Sequence, residues 1–145
     1  MKNILKKTAF ATFFMTLPLS GFANEPIKAS ELPESIKTFI AKYFPDSKVS
    51  YAIYDKEFFD SNYEVVLTTT EKLDFDKDGE WIEVDCKHNA VPTGIVPDYI
   101  LQTVSSDYQA QPIVSIEKSR KYYEIELKSG LDITFDKNGK IVEYD

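Results

Sequence analysis

The sequence predicts an α+β fold in which an antiparallel sheet carries two helices packed on one of its faces. Three observations predict it: two stretches with helical periodicity, several stretches of alternating apolar and polar residues, and a similarity between the two halves of the chain. Together they predict two tandem α-β-β-β-β repeats, at about residues 30–88 and 94–145. We expect these repeats to form a single domain over residues 24–145.

The first 23 residues have the pattern of a secretory signal peptide. A basic start precedes an apolar run at residues 8–19 that is too short to span a bilayer, and Gly21-Phe22-Ala23 supplies small residues before a cleavage point. We therefore expect a mature protein without membrane insertion. The periplasm is the expected location, and secretion is the second choice.

Acidic residues outnumber basic ones, with 24 Asp and Glu against 17 Lys and Arg, so the net charge is −7. Removal of the signal peptide, with Lys2, Lys6 and Lys7, would take the net charge to −10. Such a charge opposes nucleic-acid binding, because that requires the neutralisation of phosphates. It is compatible with cations or with a basic protein as partner.

Each half opens with a predicted helix. Leu32-Pro33-Glu34 places a proline where a helix begins, and Pro45 ends the first helix. In the second half, Val96-Pro97 matches Leu32-Pro33 at the start of the helix, and Pro112 closes the segment. The apolar stripes at spacings of three and four residues are Ile36, Phe39, Ile40, Tyr43 and Phe44 in the first half, and Ile100, Leu101, Val104 and Tyr108 in the second.

Strand patterns follow each helix. Segments 48–56 and 113–118 are the predicted first strands. The next strands alternate, with Tyr63, Val65 and Leu67 expected to point inward, as are Tyr123, Ile125 and Leu127. At an offset of 60 residues, the two sets coincide, Phe75-Asp76-Lys77-Asp78-Gly79 falls on Phe135-Asp136-Lys137-Asn138-Gly139, and Glu83 and Asp85 fall on Glu143 and Asp145.

The segment DFDKDGEWIEVD, residues 74–85, fits two patterns. As a calcium loop, it offers Asp74, Asp76, Asp78 and Asp85 as ligands and Gly79 at the sharp turn. As a β-hairpin, it turns at Asp-Lys-Asp-Gly, with the glycine at a positive φ. The second half has Thr134 in place of the first ligand and keeps the turn, which favours the hairpin. Weak calcium binding by the aspartates, superposed on the turn, remains an alternative.

The segments LPESIKTFIAKYFPDSKV, YEVVL and LDFDKDGEWIEVD occur in this order in the first half. In this they resemble the PepSY-like, β-lactamase-inhibitor-like family of exported bacterial proteins. The second half, from VPDYILQTVSSDY to FDKNGKIVEYD, is a degenerate version of the pattern. The resemblance implies tandem helix-plus-sheet repeats and no defined catalytic residues. It also implies a role in binding or inhibiting another protein. We expect no cofactor.

Residues suited to catalysis are few. Cys86 and His88 are the single cysteine and the single histidine, and no third group is identifiable that would orient them. We expect no enzyme activity. Since one cysteine excludes an internal disulfide, we expect a monomer with Cys86 partly buried at a strand end. An intermolecular disulfide or a reactive thiol is the alternative for this residue.

The segment YDKEFFDSNY, residues 54–63, is an extension that the second half lacks. Phe58 and Phe59 are surrounded there by polar residues, which suggests an exposed hairpin tip that contacts a partner. The sequence and its resemblance thus predict an exported, non-catalytic binding module, inhibitor-like toward a protein or peptidase, with Phe58, Phe59 and Trp81 as apolar anchors. The alternatives are a weak calcium-binding envelope protein and a structural or stress-accessory protein of the periplasm. The partner is expected to be an unknown protein or peptide.

Overall fold

A computed structural model describes residues 24–56 and 61–145. Within these residues, nine strands form one sheet in chain order, and each strand is antiparallel to the next. The strands are β1 (Glu25–Ile27), β2 (Val49–Lys56), β3 (Ser61–Leu67), β4 (Lys72–Asp76), β5 (Trp81–Asp85), β6 (Ile113–Lys118), β7 (Tyr122–Leu127), β8 (Asp132–Asp136) and β9 (Ile141–Tyr144). The helices are α1 (Glu34–Tyr43), α2 (Asp98–Asp107) and a short 3-10 helix (Ala29–Glu31).

The α+β fold with an antiparallel sheet is confirmed. A helix followed by four strands occurs twice, from α1 to β5 and from α2 to β9. That the two halves are tandem repeats remains a prediction. The sequence patterns missed β1 and the 3-10 helix, because three residues are too few to show either periodicity. β1 extends the sheet beyond β2 by pairing Glu25 with Tyr54 and Ile27 with Ala52.

One face of the sheet forms the hydrophobic core together with both helices. The inward positions predicted for β3 and β7 are confirmed, since Val65, Leu67, Ile125 and Leu127 are at most 1 % exposed. Further fully buried side chains on this face are Leu73, Phe75, Val84, Ile116, Ile133 and Phe135, and the helices add Ile36, Ile40, Ile100 and Val104. Full burial of such a side chain contributes about 1.5–3 kcal/mol, so this face holds most of the stabilising apolar area.

The helices begin one residue later than the sequence pattern suggests. Pro33 and Pro97 immediately precede them in an extended conformation, and Glu34 and Asp98 lie in the first turns, where a carboxylate stabilises the positive end of the helix dipole. Neither helix within the described residues has the length and apolar character needed to cross a membrane.

The β4–β5 connection is a hairpin, as predicted. The Asp76 carboxylate accepts hydrogen bonds from the backbone N–H groups of Asp78 and Glu80, both at 2.9 Å, and Gly79 adopts φ +80°. The β8–β9 turn is built in the same way around Asp136, and its Gly139 has φ +86°. In each hairpin, an aspartate that bonds two backbone donors and a left-handed glycine fix the turn.

Cys86 follows β5 directly and is buried, with 2 % of its surface exposed. Its predicted place at a strand end is confirmed. Burial, and then the carboxylates of Glu71 and Asp85, raise the pKa of its thiol to about 12. The thiol is therefore protonated at neutral pH, which makes it a poor nucleophile and a poor metal ligand.

The two hairpin turns contact the first turns of the helices, and this contact predicts the cost of alanine substitutions. A Cβ on Gly79 would lie 2.1 Å from Ser35 Oγ, and one on Gly139 would lie 3.0 Å from Tyr99 Cδ2, whereas one on Gly130, at φ +84°, would meet nothing within 4 Å. Gly130→Ala should cost about 1–2 kcal/mol through backbone strain alone. Gly79→Ala and Gly139→Ala should each cost about 1 kcal/mol more, since a packed neighbour must move. Urea unfolding measures all three, and equal losses would contradict the contact between turn and helix.

Candidate functional site

The sheet face opposite the helices, here called the outer face, carries a continuous row of acidic side chains. Residues directly opposite each other on paired strands share a face. From β3 to β9, the register places the following residues opposite one another in order: Glu64, Asp74, Glu83, Glu117, Glu124, Thr134 and Glu143. Six of these seven residues are carboxylates, and we call the set the acidic row.

Lys72 balances part of the acidic row in the first half. Its Nζ lies 3.0 Å from Asp74 Oδ2, 3.7 Å from Glu64 Oε2 and 4.0 Å from Glu83 Oε2. Burial alone would lower the pKa of Lys72, but the hydrogen bond to Asp74 and the charges of the carboxylates raise it. Lys72 therefore stays charged and ties three acidic side chains together.

The second half has no such cation at the corresponding place. Lys72 lies two residues before Asp74 on β4, and the residue two before Thr134 on β8 is Asp132. Within residues 24–56 and 61–145, no ion pair joins Glu117, Glu124 or Glu143 to a lysine or arginine. The pKa of Glu124 is raised by burial and then by the charges of Glu117, Asp132, Glu143 and Asp145.

Asp74 and Glu83 lie opposite each other in the row and share a partly buried environment. Asp74 Oδ1 is buried and has no hydrogen-bond partner among the described residues. Burial, a hydrogen bond to Asp74 and the negative charges of Asp74 and Glu117 together raise the pKa of Glu83 to about 7, against the lowering effect of Lys72. Near neutral pH, Glu83 is therefore protonated for part of the time.

A cleft of about 420 Å³ opens on the outer face at the β6–β9 end. Its lining is Glu117, Ser119, Tyr122, Glu124, Thr134, Val142 and Glu143. Tyr122 and Val142 are 43 % and 47 % exposed, which is high for apolar side chains of this size. Depressions of about 150 Å³ and 200 Å³ adjoin the cleft and share Glu124 with it. The cleft thus combines carboxylates with an aromatic ring and an aliphatic side chain.

The structure does not bring together the four aspartates of the calcium-loop pattern. Asp76 bonds the backbone of its turn, Asp78 pairs with Lys77 at 2.7 Å, and Asp85 bonds Lys87. Asp74 alone belongs to the acidic row. In the part of the chain that the structure describes, no three His, Cys, Asp or Glu side chains are grouped closely enough to hold a metal ion.

The predicted apolar anchors have different outcomes. Phe58 and Phe59 lie outside the described residues. Trp81 lies opposite Phe75, on the helix side of the sheet, and is half-buried. Its ring is 6.4 Å from that of Tyr123, and the ammonium of Lys118 lies 4.6 Å from its centroid. Its role as an anchor remains a prediction.

Cys86 and His88 do not form an accessible pair. Cys86 points into the core, whereas His88 is exposed in the turn that follows β5. Sequence reasoning missed the acidic row as a unit. The alternation that places Tyr63 and Val65 inward leaves Glu64 facing outward, and the same holds for Glu124 between Tyr123 and Ile125. The cross-strand register that aligns such residues cannot be read from any single segment.

Comparison with known proteins places the chain in a family. The family model described as "Putative beta-lactamase-inhibitor-like, PepSY-like" matches residues 61–143. The chain belongs to this PepSY-like family. A comparison with curated proteins gave no match.

Solved structures of similar sequence share the fold of this PepSY-like chain. A putative periplasmic protein of the DUF2874 family from Bacteroides vulgatus is 39 % identical, with a TM-score of 0.80 over 84 % of this chain and 96 % of that one. A putative calcium-regulated periplasmic protein from Bacteroides thetaiotaomicron is 36 % identical, with the same score and coverage. A second B. vulgatus protein, putatively periplasmic and of unknown function, is 32 % identical, with a TM-score of 0.81 over 85 % and 99 % of the two chains.

The raised pKa of Glu83 predicts how stability depends on pH. Because its folded-state pKa of about 7 exceeds the ordinary value of 4.5, the folded protein keeps a proton that the unfolded chain loses. The stabilisation is complete below about pH 4.5 and is lost as the pH rises through 7. Glu83→Gln stays neutral throughout, so its melting temperature relative to wild type should rise between pH 5 and pH 8. After a discount for solvent screening, the free energy of unfolding of Glu83→Gln relative to wild type should rise by about 1 kcal/mol over this pH range.

Thermal unfolding at the two pH values measures this change. The control variant is Glu34→Gln, which lies on α1 with its side chain 85 % exposed. A relative melting temperature of Glu83→Gln that stays constant or falls would contradict the raised pKa of Glu83.

Proposed function

We propose that the protein is an exported, non-catalytic module that binds another protein, and that the outer face of its sheet is the binding surface. The observation that carries this proposal is the acidic row, which crosses seven strands on a face that neither helix covers. Its family description is inhibitor-like, and similar solved proteins are described as periplasmic. Both descriptions support a role in binding within the periplasm.

The extent and charge of the row favour a macromolecular partner. Neighbouring strands are about 4.8 Å apart, so a row across seven strands is roughly 29 Å long. This length suits a protein surface better than a small molecule. Like charges directly opposite each other also destabilise a sheet. A cationic partner would relieve this repulsion and would be drawn to the face by the same field.

We also infer that the chain is exported and that it arose by a tandem duplication. Residues 1–23 have the features of a signal peptide, which would direct the protein to the periplasm. The two halves have register shifts at corresponding strands, between Val49 and Tyr51 and between Ile113 and Ser115. The third strands of the halves have them too, at Asp74/Phe75 and Thr134/Phe135. These matched irregularities support a tandem duplication.

A calcium-binding role is the second candidate function. The observation that favours it is the 36 % identity with the putative calcium-regulated periplasmic protein from B. thetaiotaomicron. The carboxylates of the acidic row are ligands of the kind that calcium prefers. Under this alternative, millimolar calcium should raise the melting temperature of the mature protein relative to chelator. Asp74→Asn should abolish the rise, and Asp46→Asn, on the exposed loop after α1, should not.

The main proposal predicts that neutralising the β6–β9 part of the row weakens the capture of a partner. The mature protein is immobilised, periplasmic extract is applied, and bound proteins are quantified by mass spectrometry. Glu117→Gln, Glu124→Gln and Glu143→Gln combined should reduce at least one specifically captured protein tenfold or more. The matched control combines Glu34→Gln, Asp46→Asn and Asp107→Asn, which remove as much charge from exposed positions away from the row.

The outcomes separate the candidates. Equal capture by the neutralised variant and its control would contradict the outer face as the binding surface. Loss of capture in Phe58→Ala combined with Phe59→Ala, with an unchanged melting temperature, would instead place the anchors at the predicted tip. No specific capture by any form would favour the structural or stress-accessory alternative.

A further inference from the structure

We propose that the β6–β9 end of the outer face receives an arginine side chain from a basic segment of the partner protein. This inference rests on the proposed function and specifies its chemistry. The guest guanidinium would occupy the depression lined by Glu124, Asp132, Thr134, Glu143 and Asp145. The rest of the segment would lie along the adjoining cleft of about 420 Å³.

The first half of the molecule contains a similar site that is already occupied by a cation of the chain. There, the Lys72 ammonium lies among Glu64, Asp74 and Glu83, at 3.7, 3.0 and 4.0 Å from their oxygens. These three residues are consecutive members of the acidic row on β3, β4 and β5. The chain therefore neutralises this part of the row with a cation of its own.

The corresponding site in the second half has no lysine at the position of Lys72. The consecutive row members on β7, β8 and β9 are Glu124, Thr134 and Glu143, and they line the depression of about 150 Å³. On β8, Asp132 takes the place that Lys72 takes on β4, so it adds a negative charge where the first half has a positive one. A cation from outside the chain would complete the arrangement that Lys72 completes within it.

The cleft beside the depression favours arginine as this cation. Tyr122 offers an exposed ring on which a planar guanidinium can stack, and Val142 offers aliphatic surface to the stem of the side chain. The neighbouring carboxylates of Glu117 and Glu124 can accept the forked hydrogen bonds of a guanidinium. The ammonium of a lysine would stack less well on the ring and would not form the same forked hydrogen bonds with the paired carboxylates.

Charge also decides the kind of occupant. A second copy of the chain would present another strongly acidic molecule, with a net charge of −7 before and −10 after loss of the N-terminal lysines, so its approach to this face is opposed. A small polycation would match the charge but would leave Tyr122 and Val142 without a partner. A basic protein segment satisfies both the charged and the apolar parts of the cleft.

The test uses the mature protein and a fluorescein-labelled peptide of alternating glycine and arginine with four arginines, followed by fluorescence anisotropy. Asp132→Lys gives the second half the lysine that the first half has. It should weaken peptide binding tenfold or more while the protein remains folded. Asp46→Lys makes the same charge change on the loop after α1 and should weaken binding less than threefold.

Two further arms test the chemistry. Tyr122→Ala should weaken binding fivefold or more, whereas Tyr51→Ala, at a tyrosine of similar exposure on β2, should leave it within twofold. The same peptide with citrulline in place of arginine should bind at least tenfold more weakly, and one with lysine at least threefold more weakly. Spermidine should compete only at concentrations at least tenfold above those of the peptide.

The inference is overturned if Asp132→Lys, confirmed as folded by circular dichroism, binds the peptide as wild type does. It is also overturned if citrulline or lysine peptides bind equally well, or if spermidine competes at the concentration of the peptide. These failures are distinct from failure of the proposed function. Suppose that the triple glutamine variant loses partner capture but Asp132→Lys keeps it. The arginine site is then refuted, and the outer face remains the binding surface.

Discussion

The alternation of side chains along nine paired strands is the constraint on which the rest of this structure depends. Both helices pack on one face, so the inward positions of every strand must be apolar, as Val65, Leu73 and Ile125 are. The polar residues between them are consequently collected on the other face. The antiparallel register then aligns carboxylates from different strands into one row. The same alternation of side chains thus produces both the core on one face and the acidic row on the other.

The energetics of the outer face follow from this enforced crowding. Carboxylates that lie opposite each other repel, and the chain relieves the repulsion in two ways within the first half. Lys72 supplies a positive charge, and Glu83 takes up a proton because burial and Asp74 raise its pKa. In the second half, Glu117 and Glu124 lie opposite each other, and no lysine or arginine among the described residues pairs with either of them, although burial and the neighbouring charges raise the pKa of Glu124. This end of the face therefore has the most to gain electrostatically from a cationic partner.

Most of the fold was predictable from the sequence because its signals are local. The helices are set by prolines and apolar stripes, and the hairpin turn by Asp76 and Gly79, whose geometry involves only neighbours in the chain. β1 was missed because three residues show no period. The candidate site was only partly predictable, since the outward direction of Glu64 or Glu124 is local but their alignment depends on the register of six successive strand pairs. The four aspartates of the calcium-loop pattern illustrate the converse, because residues close in sequence have different partners in the structure.

The order of the strands in the sheet has a consequence for how the chain reaches this structure. Each strand pairs with its neighbour in sequence, so most pairings close short loops and lose little chain entropy. Two pairings differ: β1 with β2 encloses α1, and β5 with β6 encloses α2. At these two places, strand pairing and the docking of a helix must occur together. Folding can therefore begin at hairpins in either half, and the β5–β6 pairing, which joins the halves, is the step that makes the two into one cooperative unit.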